Sequence, residues 1–162
     1  MLLWFWGTSI ASVWFVFRDA RFDYRLLCVG AILPDVIDVW FGGARAFHSV
    51  TVSIAVMLLI VAASAGRKRW RKRALAIPIG MMLHLVFDGA FSKSKLFWWP
   101  IGGAHFRDDP LPSVSRGAID IILEVVGLVL LVWVYRTFGL RSPARRRAFL
   151  RTGHLEPGHR TG

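Results

Sequence analysis

Apolar residues fall along the chain in five long runs that are separated by charged or glycine-rich breaks. About 20 apolar residues in a helix cross the hydrocarbon core of a bilayer, and slightly shorter runs do so together with their flanking residues. The pattern predicts an all-α integral membrane protein with a bundle of about five transmembrane helices in residues 1–140. The runs cover residues 2–17, 26–41, 50–65, 74–91 and 117–135.

Helix-breaking and capping residues refine these boundaries. Pro34 lacks a backbone donor and is expected to kink the second helix. Ser49 directly precedes the third run and is a suitable N-cap. Turn residues and a Phe-Trp-Trp cluster predict an interfacial loop over residues 92–116. Residues 141–162 are rich in Arg, Pro and Gly, which predicts a basic, weakly ordered cytoplasmic tail that touches anionic lipid headgroups.

Composition supports the membrane class. Hydrophobic residues make up 55% of the 162 residues, and eight of them are Trp. The mean hydropathy is +0.49. A chain of this length has no soluble core large enough to bury that much apolar surface. Cys28 is the single cysteine, so an intrachain disulfide and a thiolate metal cluster are both excluded.

The net charge of +11 is explained by topology rather than by nucleic acid, because no nucleic-acid recognition motif accompanies it. Basic residues gather on the cytoplasmic side of membrane proteins. If the basic segment 67–73 is cytoplasmic, sixteen Lys and Arg residues lie inside and five outside. This assignment places the N-terminus outside and the C-terminus in the cytoplasm, with membrane lipids as partners and no nucleic acid.

Acidic and imidazole side chains interrupt the apolar runs only in their outer halves. They form pairs three or four residues apart, so each pair lies on one face of its helix. At a rise of about 1.5 Å per residue they lie roughly 5 to 10 Å below the outer ends of the helices. Such groups are costly in a membrane and indicate a functional site. The pairs are Asp35 with Asp38, His84 with Asp88, and Asp120 with Glu124, and His48 lies at the outer mouth.

Carboxylates and imidazoles that cluster without cysteine suit Zn²⁺, Mn²⁺ or Fe²⁺, and the cation offsets the cost of burying acids together. We expect one or two divalent ions, with Zn or Mn favoured. Two structural alternatives stay open, in which Asp35 satisfies a broken helix or His84 serves only helix packing. Asp120 and Glu124 are open between ligation, orientation of the ligands, and a structural role.

The motifs resemble a known family. Leu-Pro-Asp-x-x-Asp at 33–38, Arg-Ala-Phe-His-Ser at 45–49, Gly-x-x-x-His-x-x-x-Asp at 80–88 and Phe-Trp-Trp-Pro at 97–100 are similar in order and spacing to the LexA-regulated, membrane-bound predicted metal-dependent hydrolases. The resemblance covers residues 30–100. It implies a small multi-span protein of the bacterial plasma (inner) membrane with a metal site at Asp35, Asp38, His48, His84 and Asp88.

Two residues depart from the family pattern. Many members have Leu-Pro-Asp-x-Asp-His, whereas the second acid here, Asp38, comes one residue later, no histidine follows it and Val39 stands in that region. Phe47 occupies a position where many members have Thr. These departures leave the ligand set open.

The sequence thus predicts a metal-dependent hydrolase that acts on an ester or phosphoester, a lipid by its position, at the extracytoplasmic face. Glu124 or Asp120 is the candidate catalytic base. Arg45 is the candidate phosphate-binding residue, and a role as an anchor for lipid headgroups is its open alternative. The alternative is a non-catalytic membrane protein that uses the same Asp/His cluster for metal or proton binding or transport. Transport is disfavoured because the inner halves of the helices hold no acid or imidazole to relay an ion.

Overall fold

The computed structural model describes residues 1–40, 45–101, 103 and 117–157. The described residues are helical and contain no strand, which confirms the predicted all-α class. Most of the predicted loop at 92–116 and the last five residues of the tail lie outside the described part. The helices are α1 (Leu2–Phe17), α2 (Tyr24–Val39), α3 (Val50–Ala63), α4 (Lys68–Ala74), α5 (Ala76–Phe87), α6 (Ser94–Phe97), α7 (Ala118–Thr137) and α8 (Pro143–Thr152). Two single 3₁₀ turns, Ala46–His48 and Ala90–Ser92, precede α3 and α6.

Local capping explains where several helices begin and end. Ser49 Oγ accepts a hydrogen bond from Val52 N at 3.2 Å, so the predicted N-cap of α3 is confirmed. The Asp23 carboxylate caps α2 in the same way. α1 ends where Arg18 adopts a left-handed conformation, with φ of 49°. These side chains satisfy backbone groups that a helix terminus leaves without partners.

Two helix pairs meet backbone to backbone at glycines. A Cβ atom on Gly7 of α1 would lie 2.6 Å from the carbonyl oxygen of Gly127 on α7. A Cβ on Gly80 of α5 would overlap the carbonyl oxygen of Leu27 on α2, and a Cβ on Gly30 would overlap that of Ile77. Small residues allow this approach, which is common between membrane helices. The α2–α5 contact brings the Leu-Pro-Asp and His84 motifs together.

Contacts between the ends of helices define two distinct ends of the molecule. At one end, Trp4 Nε1 donates to the Phe87 carbonyl at 3.2 Å, which joins the start of α1 to the end of α5. This end also holds the end of α2, and we call it the Asp/His end. At the opposite end, Lys72 Nζ lies 2.8 Å from Asp19 Oδ2, which joins α4 to the α1–α2 connection. We call this second end the basic end.

The tail is more ordered than the sequence indicated. Pro143 at the first position of α8 and Gly153 after its end are favourable helix-bounding residues. Tyr24 N donates to the Gly153 carbonyl at 2.9 Å, and Leu155 N donates to the Ala20 carbonyl at 3.0 Å. The Leu155 side chain is 1% exposed and packs in the core. The weak order expected of the tail therefore does not describe residues 143–157, because an apolar anchor fastens them to the α1–α2 connection.

Among the described residues, α7 alone is long and apolar enough to cross a membrane by length and composition. α1 and α3 are apolar but shorter. One such helix is weak support for a membrane location, so the bundle of five membrane-spanning helices remains a prediction.

Candidate metal site

Three separate segments bring one carboxylate and two imidazoles together at the Asp/His end. Asp35 comes from α2, His48 from the 3₁₀ turn before α3, and His84 from α5. One ligand atom from each lies within 4.8 Å of the other two, and this is the group in the described part of the chain that could hold a metal ion. The prediction of a metal site is supported to that extent.

The distances within this group suit a single small cation. His48 Nε2 lies 3.2 Å from Asp35 Oδ1, and His84 Nε2 lies 3.5 Å from the same oxygen. The two Nε2 atoms are 3.4 Å apart. Tetrahedral zinc with bonds of about 2.0 to 2.1 Å requires ligand atoms about 3.4 Å from one another. The three atoms therefore already have the separations of one face of such a tetrahedron.

Asp38 contacts the ring nitrogen of His48 that faces away from Asp35. Its Oδ2 lies 2.7 Å from His48 Nδ1 and also accepts a hydrogen bond from Arg45 N at 2.8 Å. Phe47 N donates to the other oxygen at 3.4 Å. Asp38 is thus bound to the loop that carries His48 and lies outside the three-residue group. The structure gives it the orienting position that accompanies metal-bound histidines, rather than the ligand position that we expected.

His84 is oriented in a similar way by backbone. Its Nδ1 donates to the Ala31 carbonyl at 2.7 Å, and the Phe5 ring packs on the imidazole with centroids 4.1 Å apart. Because a carbonyl oxygen can only accept, the proton of neutral His84 is on Nδ1 and its Nε2 carries a lone pair. Neither Ala31 nor Phe5 had a signal in the sequence, since every residue has a carbonyl and Phe5 resembles its apolar neighbours.

The hydrogen-bond acceptors of this group consequently face one another. With Nδ1 of both rings donating to Ala31 and Asp38, the two Nε2 lone pairs and the Asp35 carboxylate point at a common space. Only a cation or an added proton satisfies such an arrangement. Burial lowers the pKa of His48, but hydrogen bonds and charges from Asp35 and Asp38 outweigh it and raise the pKa to about 9. A proton on His48 is therefore the alternative to a metal ion.

Access to the site is by way of Asp35. His48 and His84 are fully buried, whereas the Asp35 side chain is 21% exposed. Asp35 is therefore the member of the group that contacts the surface of the protein.

The remaining predicted site residues lie elsewhere. Asp88 is buried at the C-cap of α5, outside the three-residue group. Glu124 accepts a hydrogen bond from Leu3 N at 3.0 Å, where it satisfies the start of α1. Asp120 and Glu124 share a shallow groove beside α1. Arg45 borders the site through its backbone bond to Asp38. The group of three candidate ligands in the described part of the chain thus does not include Asp88, Asp120 or Glu124.

Comparisons with known proteins returned nothing: the chain matches no family model, no curated protein and no solved structure.

Proposed function

We propose that this protein is a membrane-embedded metal-dependent hydrolase that cleaves an ester or phosphoester, in particular a lipid, at the extracytoplasmic face. The observation that carries the proposal is the convergence of Asp35 Oδ1, His48 Nε2 and His84 Nε2 at 3.2 to 3.5 Å, with Asp38 and Ala31 behind the two rings. Catalytic zinc sites commonly have three protein ligands and a fourth, open position.

The donor set favours Zn²⁺, because imidazole nitrogens suit zinc and the distances fit a tetrahedron; Mn²⁺ is the second choice. A divalent ion, if bound there, would supply Lewis-acid chemistry that activates water and polarises an ester or phosphoryl oxygen. His48 Nε2, His84 Nε2 and the Asp35 carboxylate would hold the ion, and Asp35 would add a negative charge at the partly exposed side of the site. Arg45, anchored beside Asp38, is the residue that we propose to contact a substrate phosphate.

We place the protein in the plasma (inner) membrane of a bacterium, with α1, α2, α3, α5 and α7 as the spans. Large apolar side chains on the outer surfaces of α3 and α7 support this placement, since Leu59 and Ile121 are each 68% exposed. Lipid is the medium that covers such faces at least cost. The basic end faces the cytoplasm and the Asp/His end faces outward, in agreement with the positive-inside rule.

Metal analysis of the purified full-length protein tests the site. We expect the wild type to bind about one equivalent of zinc tightly and His84→Ala to lose it, because the variant removes one of three ligands. His154→Ala is the matched control, since this imidazole belongs to the tail at the basic end. Wild type with less than about a tenth of an equivalent of any transition metal, and no uptake on reconstitution, would contradict a metal site.

Turnover separates hydrolysis from the non-catalytic alternative. Zinc-loaded wild type is expected to cleave phospholipid or nitrophenyl phosphodiester substrates, with activity removed by a chelator and absent in His84→Ala. Stoichiometric metal without turnover would favour metal binding or transport. If no metal is found, the contacts of His48 with Asp35 and Asp38 favour proton binding as the function of this group.

Labelling of single cysteines tests the orientation in a Cys28→Ser background. Trp40 is 83% exposed at the end of α2, and Arg147 is exposed on α8. In intact cells, an impermeant thiol reagent should modify Trp40→Cys and should modify Arg147→Cys only after lysis. The reverse pattern would place the Asp/His end in the cytoplasm.

A further inference from the structure

A groove of about 660 Å³ lies at the basic end, between the α1–α2 connection and α4. Arg21 contributes from the connection, and Arg69, Trp70, Lys72 and Arg73 contribute from α4. Arg69 and Arg73 are four residues apart and therefore lie on one face of this short helix. The groove has no part in the Asp/His site, which lies at the opposite end of the molecule.

The cations around this groove are only partly neutralised. Lys72 pairs with Asp19 at 2.8 Å, and the Asp23 carboxylate, which also borders the groove, pairs with Arg25 at 3.0 Å. In the described part of the chain, the guanidinium groups of Arg21, Arg69 and Arg73 have no carboxylate within ion-pair distance. Three like charges around one concave surface repel one another, and an anion relieves that repulsion.

The chemistry of the lining favours a phosphate group. Guanidinium forks match phosphate oxygens in a bidentate arrangement, and three of them surround the groove. Trp70 is 50% exposed beside them, and an indole at this level suits the boundary between headgroups and acyl chains. Basic pockets on the cytoplasmic side of membrane proteins bind anionic headgroups for the same reasons.

We propose that this groove binds the phosphate of an anionic phospholipid headgroup from the cytoplasmic leaflet. The proposal rests on the membrane placement proposed above and is independent of metal binding. The groove lies where α1 ends and α5 begins, which is the headgroup level of a bundle oriented with its basic end inward. A free phosphate offers the same anion without the acyl chains, and the experiment distinguishes the two.

The test is a titration of the purified full-length protein in a non-ionic detergent, followed by native mass spectrometry and calorimetry. The probes are dioctanoyl phosphatidylglycerol, dioctanoyl phosphatidylcholine and inorganic phosphate. The variant is Arg21→Gln, Arg69→Gln and Arg73→Gln together. The matched control removes the same charge from exposed positions of the tail, with Arg141→Gln, Arg146→Gln and Arg147→Gln. Size-exclusion profiles and helical circular dichroism check that both are folded. If the triple variant is not, the double variant Arg69→Gln and Arg73→Gln on one face of α4 replaces it.

We expect saturable binding of phosphatidylglycerol that weakens about a hundredfold in the groove variant, from about 1 kcal/mol for each basic residue. The control should change binding by less than about threefold, because its charges lie outside the groove, the detergent solution holds no bilayer surface for the tail to contact, and salt screens exposed charges. Equal weakening by both variants would overturn the proposal in favour of diffuse attraction. Equally tight binding of phosphatidylcholine would overturn the role of the anionic headgroup. Inorganic phosphate that binds as tightly as the lipid would overturn the lipid assignment. Neither variant should change the zinc content of the protein. This expectation keeps the lipid result separate from the test of the metal site.

Discussion

The two ends of the helix bundle differ in how far their charged pairs are exposed to solvent. At the Asp/His end, Asp38 and His48 pair at 2.7 Å with side chains that are 1% and 0% exposed. At the basic end, Lys72 and Asp19 pair at a similar distance of 2.8 Å but with side chains that are 59% and 33% exposed. Water competes for the second pair and hardly reaches the first. The same kind of contact therefore has a precise positioning role at one end and a small, collective electrostatic role at the other.

This difference predicts unequal sensitivity to substitution. The buried network depends on three helices meeting at fixed distances, so a change at any of them should alter metal binding. The basic end should tolerate single changes, because each exposed pair contributes little and the groove acts through the sum of its charges.

The largest effect is expected from Gly80→Leu, which disrupts the contact between α2 and α5 that supports the Asp/His end. The new side chain would overlap backbone atoms of α2 near Leu27 and Ala31, and the Ala31 carbonyl is the partner of His84. We expect a loss of about 3 kcal/mol in the free energy of unfolding and loss of zinc binding. Thermal unfolding in detergent and zinc titration measure both. Ala55→Leu adds similar volume on the exposed side of α3 and should leave both unchanged, and equal stability of the two variants would contradict the close packing of α2 on α5.

A smaller effect is expected from Asp38→Asn, which tests whether this residue orients His48 or binds the ion. Loss of an orienting carboxylate weakens metal affinity by about 10- to 100-fold. Competition with a zinc chelator measures the affinity, and Asp19→Asn at the basic end is the matched control with no expected change. A loss as complete as that of His84→Ala would make Asp38 a ligand, and an unchanged affinity would remove it from the site.

Glu124→Ala should cost less again, about 1 kcal/mol of unfolding free energy, because Leu3 N at the start of α1 loses its acceptor. Glu124→Gln keeps an acceptor oxygen and should cost less than Glu124→Ala. If Glu124 were a catalytic base, both variants would lose turnover while retaining zinc. Thermal unfolding and turnover measured on the same preparations distinguish the two roles.

The smallest effect is expected at the exposed Asp19–Lys72 pair. The hydrogen bond from Lys72 lowers the pKa of Asp19. The pair therefore stabilises the fold above about pH 4 and loses this contribution as the pH falls through the lowered pKa of the folded state. The contribution should be below about 1 kcal/mol, because both side chains are well exposed. Thermal unfolding of wild type and Lys72→Met between pH 2 and 6 measures it, and a difference that grows toward low pH would contradict the assignment.

Most of the helices could be predicted because helix formation is largely local. The predicted runs at 2–17 and 50–65 agree within two residues with α1 and α3, and Ser49 caps α3 as expected. The fourth run was less accurate, since the chain breaks near Leu75 and the basic segment before it is helical as α4. Lys and Arg are good helix formers, and a pattern of apolar residues does not register them.

The tail was misjudged because its order depends on contacts far along the chain. Leu155 is buried against residues near Ala20, and Arg25 Nη1 donates to the Leu150 carbonyl at 2.6 Å. Composition alone describes a segment rich in Arg, Pro and Gly, and it does not identify the distant residues that this segment contacts.

The sequence by itself determined the all-α class, the approximate helices and the residue types of the candidate site, because periodicity, capping and the cost of burying acids in apolar segments are properties of local sequence. Tertiary structure alone decided that Asp35, His48 and His84 form the group, that Asp38 supports His48, and that Glu124 serves the start of α1. The reason is geometric. Asp35 and Asp38 are one helical turn apart, and only the position of the His48 ring beside α2 determines which ring nitrogen each carboxylate contacts.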